Sequence, residues 1–128
     1  VLAVALIKAL YRRRALRRVV YPCKVTLGER SVKADGFLDS GNRAKVNGTP
    51  VCFLSPDLAF DLLDDKCMTE EMTIVTMSGE TTIKIFLADS LEIYCGEKPN
   101  IIRKVYFAPS TNIRAREYKI ILNAGVLD

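Results

Sequence analysis

Gly36-Phe37-Leu38-Asp39-Ser40-Gly41-Asn42 decides how this chain is read. An apolar run ends in one carboxylate, one hydroxyl and one glycine, the composition of a tight turn. Asp and Ser bond nearby backbone, and Gly tolerates a positive φ. Most such triplets are plain turns. This one follows a strand-like segment rather than a polar linker, and a carboxylate at the end of a buried strand is costly unless paired or hydrogen-bonded. The turn occurs once, and 128 residues make one domain. A site built on paired carboxylates therefore takes its second aspartate from another chain.

Outward from the turn the texture is short and β-like. Cys23–Leu27 alternates, Gly28–Ser31 turns, and Val32–Leu38 returns as a second strand. Asn47-Gly48 is a strong hairpin-turn signal, and Val51–Leu54 reads as a buried strand. Ser55-Pro56-Asp57 supplies an N-cap, a proline at the first helical position and an early acid, which predicts a helix over 56–65 with Leu58, Leu62 and Leu63 inward. Met72–Met77 and Thr82–Leu87 form a hairpin joined by Ser78-Gly79-Glu80. Ser90–Cys95, Ile101–Ala108 and Lys119–Leu122 are further strands, the last ended by Asn123-Ala124-Gly125. The expected fold is all-β, a closed barrel with one short internal helix.

Composition removes whole classes of chemistry. There is no histidine, which excludes Ser-His-Asp and Cys-His catalysis and the commonest zinc ligand. Cys23, Cys52, Cys67 and Cys95 are widely spaced with no C-x-x-C pair, neither a zinc nor a redox motif. Four free thiols in a reducing compartment are expected.

Charge divides the chain unevenly. Residues 1–20 carry six basic residues (Lys8, Arg12, Arg13, Arg14, Arg17 and Arg18) and no acid, against a net −2 for residues 21–128. Residues 1–18 read as a helical basic arm that Pro22 ends, with the folded domain over 21–128. Val1–Leu10 is too short to span a bilayer, and the chain starts without methionine, as a piece whose earlier part is missing would. The residues alone leave three readings open: the cytoplasmic end of a membrane helix, an amphipathic helix packed on the domain, or a basic tail touching nucleic acid.

The chemistry that suits the turn is peptide hydrolysis by an aspartate dyad. Two carboxylates forced together share one proton; one activates water while the other protonates the substrate carbonyl. No histidine or metal is needed.

Gly36–Asn42, followed by Pro50-Val51, resembles the sporulation sigma-E factor processing peptidase family of spore-forming Firmicutes, membrane-bound aspartic proteases with a retropepsin-like domain. Thr73–Glu80 with Ile83–Phe86 and Ala88–Ile93 is similar to the family's flap hairpin and following strand, and Ile120–Leu127 to its closing segment. Ser40 stands where members carry threonine or serine, and Gly79 is the one glycine of a flap that in many members has several. Arg43–Asn47 lacks the Leu and Asp-Pro that many members carry there.

The resemblance implies a retropepsin-like barrel, active as a homodimer on the cytoplasmic side of the cell membrane. Asp39 is the catalytic residue, Ser40, Gly41 and Asn42 support its loop, and Met77, Ser78, Gly79 and Glu80 form the substrate-binding flap. The implied substrate is a sigma-factor precursor losing its N-terminal extension, and the implied activator a secreted forespore signalling protein. No cofactor or metal is implied. On the residues alone Asn42 is as well explained as a turn stabiliser, and residues 73–86 as an ordinary hairpin. Two rivals stand beside the protease: a non-catalytic retropepsin-like dimerisation or binding module, and a nucleic-acid-binding β-barrel. The −2 charge of residues 21–128 argues against the second.

Overall fold

The computed structural model describes residues 20–64, 69–76, 78–111, 113 and 118–127. The basic arm, Met77 and Cys67 lie outside them. Chain order is β1 (Val20–Leu27), β2 (Arg30–Leu38), β3 (Lys45–Val46), β4 (Thr49–Leu54), helix α1 (Pro56–Leu62), β5 (Glu70–Thr76), β6 (Gly79–Ile93), β7 (Asn100–Pro109) and β8 (Ile120–Leu122).

Pairing runs β1-β2-β8-β4-β7-β6, and β6 pairs back to β1, so six strands close into a barrel. Closure leaves these strands without a free edge along the ring. Among the described residues β3 pairs only with β4, and β5 only with β6, so both lie off the ring. The expected all-β barrel with one short helix is what the strands form.

Alternation explains the interior. Along β1, Cys23 and Val25 are buried while Lys24 is not; along β6, Phe86, Ala88, Leu91 and Ile93 turn inward. These meet Leu54, Phe107, Ile120 and Leu122, with Leu58, Ala59 and Leu62 of α1 packed on the same cluster. A second, smaller cluster of Val51, Ile85, Tyr106 and Ala108 takes in Ala44, Val46, Phe53, Met72 and Ile83. It fastens the β5–β6 hairpin to the β3–β4 region.

Several boundaries differ from the sequence reading. Pro22 does not precede the first strand; it lies inside it, because β1 already pairs with β2 from Val20↔Phe37. Pro22 needs no N–H there, and its carbonyl accepts from the Tyr94 N–H at 2.9 Å. α1 stops at Leu62, and Leu63 is extended (φ −84, ψ 138), half-buried where it was expected inward with Leu58 and Leu62. There is no basic residue in the last turn, and Asp64 places a carboxylate at the negative end of the helix dipole. Thr82–Leu87 and Ser90–Ile93 belong to one 15-residue strand, Gly79–Ile93, and Cys95 lies beyond its end. Asp89 does not break it: the side chain is exposed and accepts the Gly28 N–H at 2.7 Å, while Ala88 is buried beneath. Gly79 and Glu80, expected in the turn, already pair with Thr76 and Val75 within the hairpin.

Candidate active site

β2 and β8 run parallel, with Leu38 beside Leu122, so their C-terminal ends share one end of the barrel. β4 runs antiparallel to β8, which brings its beginning, and Val51, to the same end. The chain leaving β2 must turn there, and the turn is Asp39–Asn42.

The turn is built from its own backbone and one carboxylate. The Asn42 N–H donates to the Asp39 carbonyl at 3.0 Å, closing a β-turn. The Gly41 N–H donates to Asp39 Oδ1 at 2.9 Å, the local bond that Asp makes two residues on. The Asp39 N–H donates to the Leu122 carbonyl at 3.2 Å. Asp39 is half-buried rather than enclosed, so desolvation of the carboxylate in one chain is weaker than its position after an apolar strand implies. Its hydrogen bonds, not burial, hold it in place.

Gly41 does not take a positive φ. Its need for glycine is spatial: a Cβ there would stand 3.3 Å from Asp39 Oδ1. Gly36, two residues before Leu38, is needed for close approach as well. A Cβ at Gly36 would meet Cys23 Sγ at 2.8 Å and Leu122 Cγ at 3.2 Å.

Asn42 is buried, and its carboxamide is spent on structure. Nδ2 donates to the Val51 carbonyl at 3.1 Å, and Oδ1 accepts the Ala44 N–H at 3.4 Å. Ser40 and Gly41 are exposed. Ser78, Gly79 and Glu80 are exposed as well, at the turn end of the β5–β6 hairpin on a different element from the Asp39 turn. The second core cluster links the two regions, with Ala44 and Val46 on one side and Met72 and Ile83 on the other. The turn and the hairpin tip are thus two separate groups of residues on one framework.

Asn123 was read only as the end of a strand. It is 1% exposed, and its Nδ2 donates to the carbonyls of Ala44 (2.7 Å) and Val51 (3.1 Å), in the same place as the Asn42 amide. One signal was available: an asparagine directly after the apolar Ile120–Leu122, which must find partners if it is buried.

The two buried thiols, Cys23 and Cys52, are placed for packing, and Cys95 is exposed. Cys23, Cys52 and Cys95 are free. Burial pushes both the Cys52 and Cys23 thiols up to about 12, so neither is a nucleophile near neutral pH. Among the described residues no three His, Cys, Asp or Glu side chains are grouped to hold a metal ion. In one chain the arrangement offers a single carboxylate with fixed orientation, able to accept or give one proton. A carboxylate dyad would need its second acid from elsewhere.

No family model and no curated protein matches this chain. Among solved structures it is similar to a protein of unknown function (DUF785) from Legionella pneumophila, with a TM-score of 0.41 and 12% identity, over 82% of this chain and 80% of that one.

Proposed function

We propose that this domain is a retropepsin-like aspartic endopeptidase of the sporulation sigma-E factor processing type, whose dyad consists of Asp39 from each of two identical chains. The observation that carries the reading is the Asp39-Ser40-Gly41 turn at the end of a closed barrel, its carboxylate fixed by the Gly41 N–H and its backbone by Leu122. In the dimer the two carboxylates share a proton. One takes a proton from water as it attacks the scissile carbonyl, and the other protonates the carbonyl oxygen. The β5–β6 hairpin, with Ser78, Gly79 and Glu80 near its tip, closes over the bound peptide. No cofactor enters the reaction.

The substrate in this reading is a sigma-factor precursor, cleaved to release its N-terminal extension, with a secreted forespore protein as activator. The domain works at the cytoplasmic face of the cell membrane. Among the described residues no helix is long and apolar enough to cross a membrane; the basic arm would join the domain to a preceding membrane segment. The test is cleavage of the precursor by the chain and by Asp39→Ala. The wild-type chain cleaves, and the variant, with an unchanged circular dichroism spectrum, does not. Retained cleavage in a folded variant ends the reading.

One observation favours the non-catalytic binding module instead. The Asp39 carboxylate is partly exposed and accepts from Gly41 as it would in an ordinary turn. A chain that stays monomeric at high concentration, and when tethered to a membrane, supports that module.

A further inference from the structure

Three bonds zip the end of β8 and the two residues after it to the segment after β2. The Asp39 N–H meets the Leu122 carbonyl at 3.2 Å, the Ala124 N–H meets the Asn42 carbonyl at 2.8 Å, and Asn123 Nδ2 meets the Ala44 carbonyl at 2.7 Å. Two are backbone bonds, which any residues could make. The third depends on one side chain.

We infer that Asn123 is a positioning residue for the Asp39 turn, one half of a paired-carboxamide brace whose other half is Asn42. Its catalytic consequence rests on the aspartic-protease reading; its structural consequence does not. The Val51 carbonyl accepts from both amides, each at 3.1 Å. A carbonyl oxygen has two lone pairs, and here both are used by carboxamides. Ala44 is held the same way on both sides, its N–H by Asn42 Oδ1 and its carbonyl by Asn123 Nδ2. Asn123 Oδ1 in turn accepts the Gly125 N–H at 3.0 Å. Both Nδ2 bonds and the Oδ1 acceptance come from one planar group that is 1% exposed. Its rotation is therefore fixed, and it fixes residue 44 relative to Leu122.

The bonding pattern also separates positioning from bulk stability. Without Asn123 the Val51 carbonyl keeps Asn42, and the Ala44 carbonyl keeps the Val51 N–H at 2.9 Å. Neither is orphaned, so the barrel survives. What is lost is the side-chain bond from Asn123 to Ala44; the two backbone bonds stay, the turn is held less tightly, and a catalytic group allowed to wander by about 1 Å loses rate steeply.

The experiment is hydrogen exchange by NMR on the 128-residue chain and Asn123→Ala, with cleavage kinetics beside it. In the variant the amides of Gly41, Asn42 and Ala44 exchange about tenfold faster, while those of Leu91 and Val105 keep wild-type rates. kcat on the precursor falls about tenfold or more with KM little changed. Unchanged exchange in the turn overturns the inference. So does equal acceleration at Leu91 and Val105, which marks plain destabilisation, and so does a loosened turn with wild-type kcat.

If Asn123→Ala does not fold, Asn123→Asp decides. Its carboxylate faces two carbonyls at neutral pH and loosens the turn, and acidification restores protection as the neutral carboxyl donates. No recovery on acidification overturns the inference. If Asp39→Ala leaves cleavage intact, the protease reading fails, and the exchange data still judge the brace.

Discussion

The Asp39 N–H donates to the Leu122 carbonyl at 3.2 Å, so the turn bearing the carboxylate hangs from the short parallel strand β8. β8 has only three residues, yet it is flanked by β2 on one side and β4 on the other. The carboxylate is thereby tied to the centre of the sheet rather than to a loop end.

Gly41→Ala tests how closely the carboxylate is packed against its own turn. The new Cβ would stand 3.3 Å from Asp39 Oδ1, while the φ at this position suits any residue. Because Gly41 is exposed, thermal stability should change by less than about 0.5 kcal/mol. Cleavage of the precursor should fall about tenfold or more as the carboxylate shifts. Unaltered kcat would show that the contact gives way without moving Asp39.

Gly36→Ala acts on the fold instead. Its Cβ would press on Cys23 Sγ at 2.8 Å and on Leu122, and overpacking of this kind costs about 1–3 kcal/mol. Denaturant titration should show that loss. The double variant with Cys23→Ala should recover part of it, since removing the sulfur makes room; additive losses would mean that Leu122 is the real obstacle.

The chain's β-like texture made the barrel legible, and so did particular turns. Asn47 and Gly48 take φ of 51 and 80, which is why that pair marks a hairpin. Ser55-Pro56-Asp57 located the start of α1. Its end was not legible, because the competition between helix propensity and the carboxylate of Asp64 is settled by tertiary contacts such as Arg30 Nη1 on the Leu63 carbonyl (3.3 Å). The continuity of β6 through Ala88-Asp89 was not legible, because the Asp89 carboxylate's partner, the Gly28 N–H, is remote in sequence. Asn123 escaped for the same reason: all that distinguishes it is where β2, β4 and β8 meet.

Stability should decline in alkali. The Cys52 and Cys23 thiols titrate near 9 when unfolded and about 12 when folded, burial being the main cause in both. Between those values the unfolded chain holds fewer protons than the native one, so stability falls as pH rises. Below about 9 this contribution is fully present. Above pH 9 the urea midpoint of the wild type should fall more steeply with pH than that of Cys52→Ala; parallel curves would show that other groups govern alkaline unfolding.

A dyad shared between chains makes activity a property of pairs. Mixing Asp39→Ala chains with an equal amount of wild type leaves about a quarter of dimers with both aspartates, if exchange is random. Cleavage should drop to about that fraction of the rate of the wild-type chain alone at the same total concentration. A drop to only half would mean that each chain works by itself.

The most direct test is the separation of the two Asp39 carboxylates in a structure of the symmetric dimer, held at a membrane to raise its effective concentration. The protease reading predicts oxygens within hydrogen-bonding reach, about 2.5–3.0 Å, with one proton between them. Two Asp39 side chains separated by a wide, solvent-filled gap would contradict it.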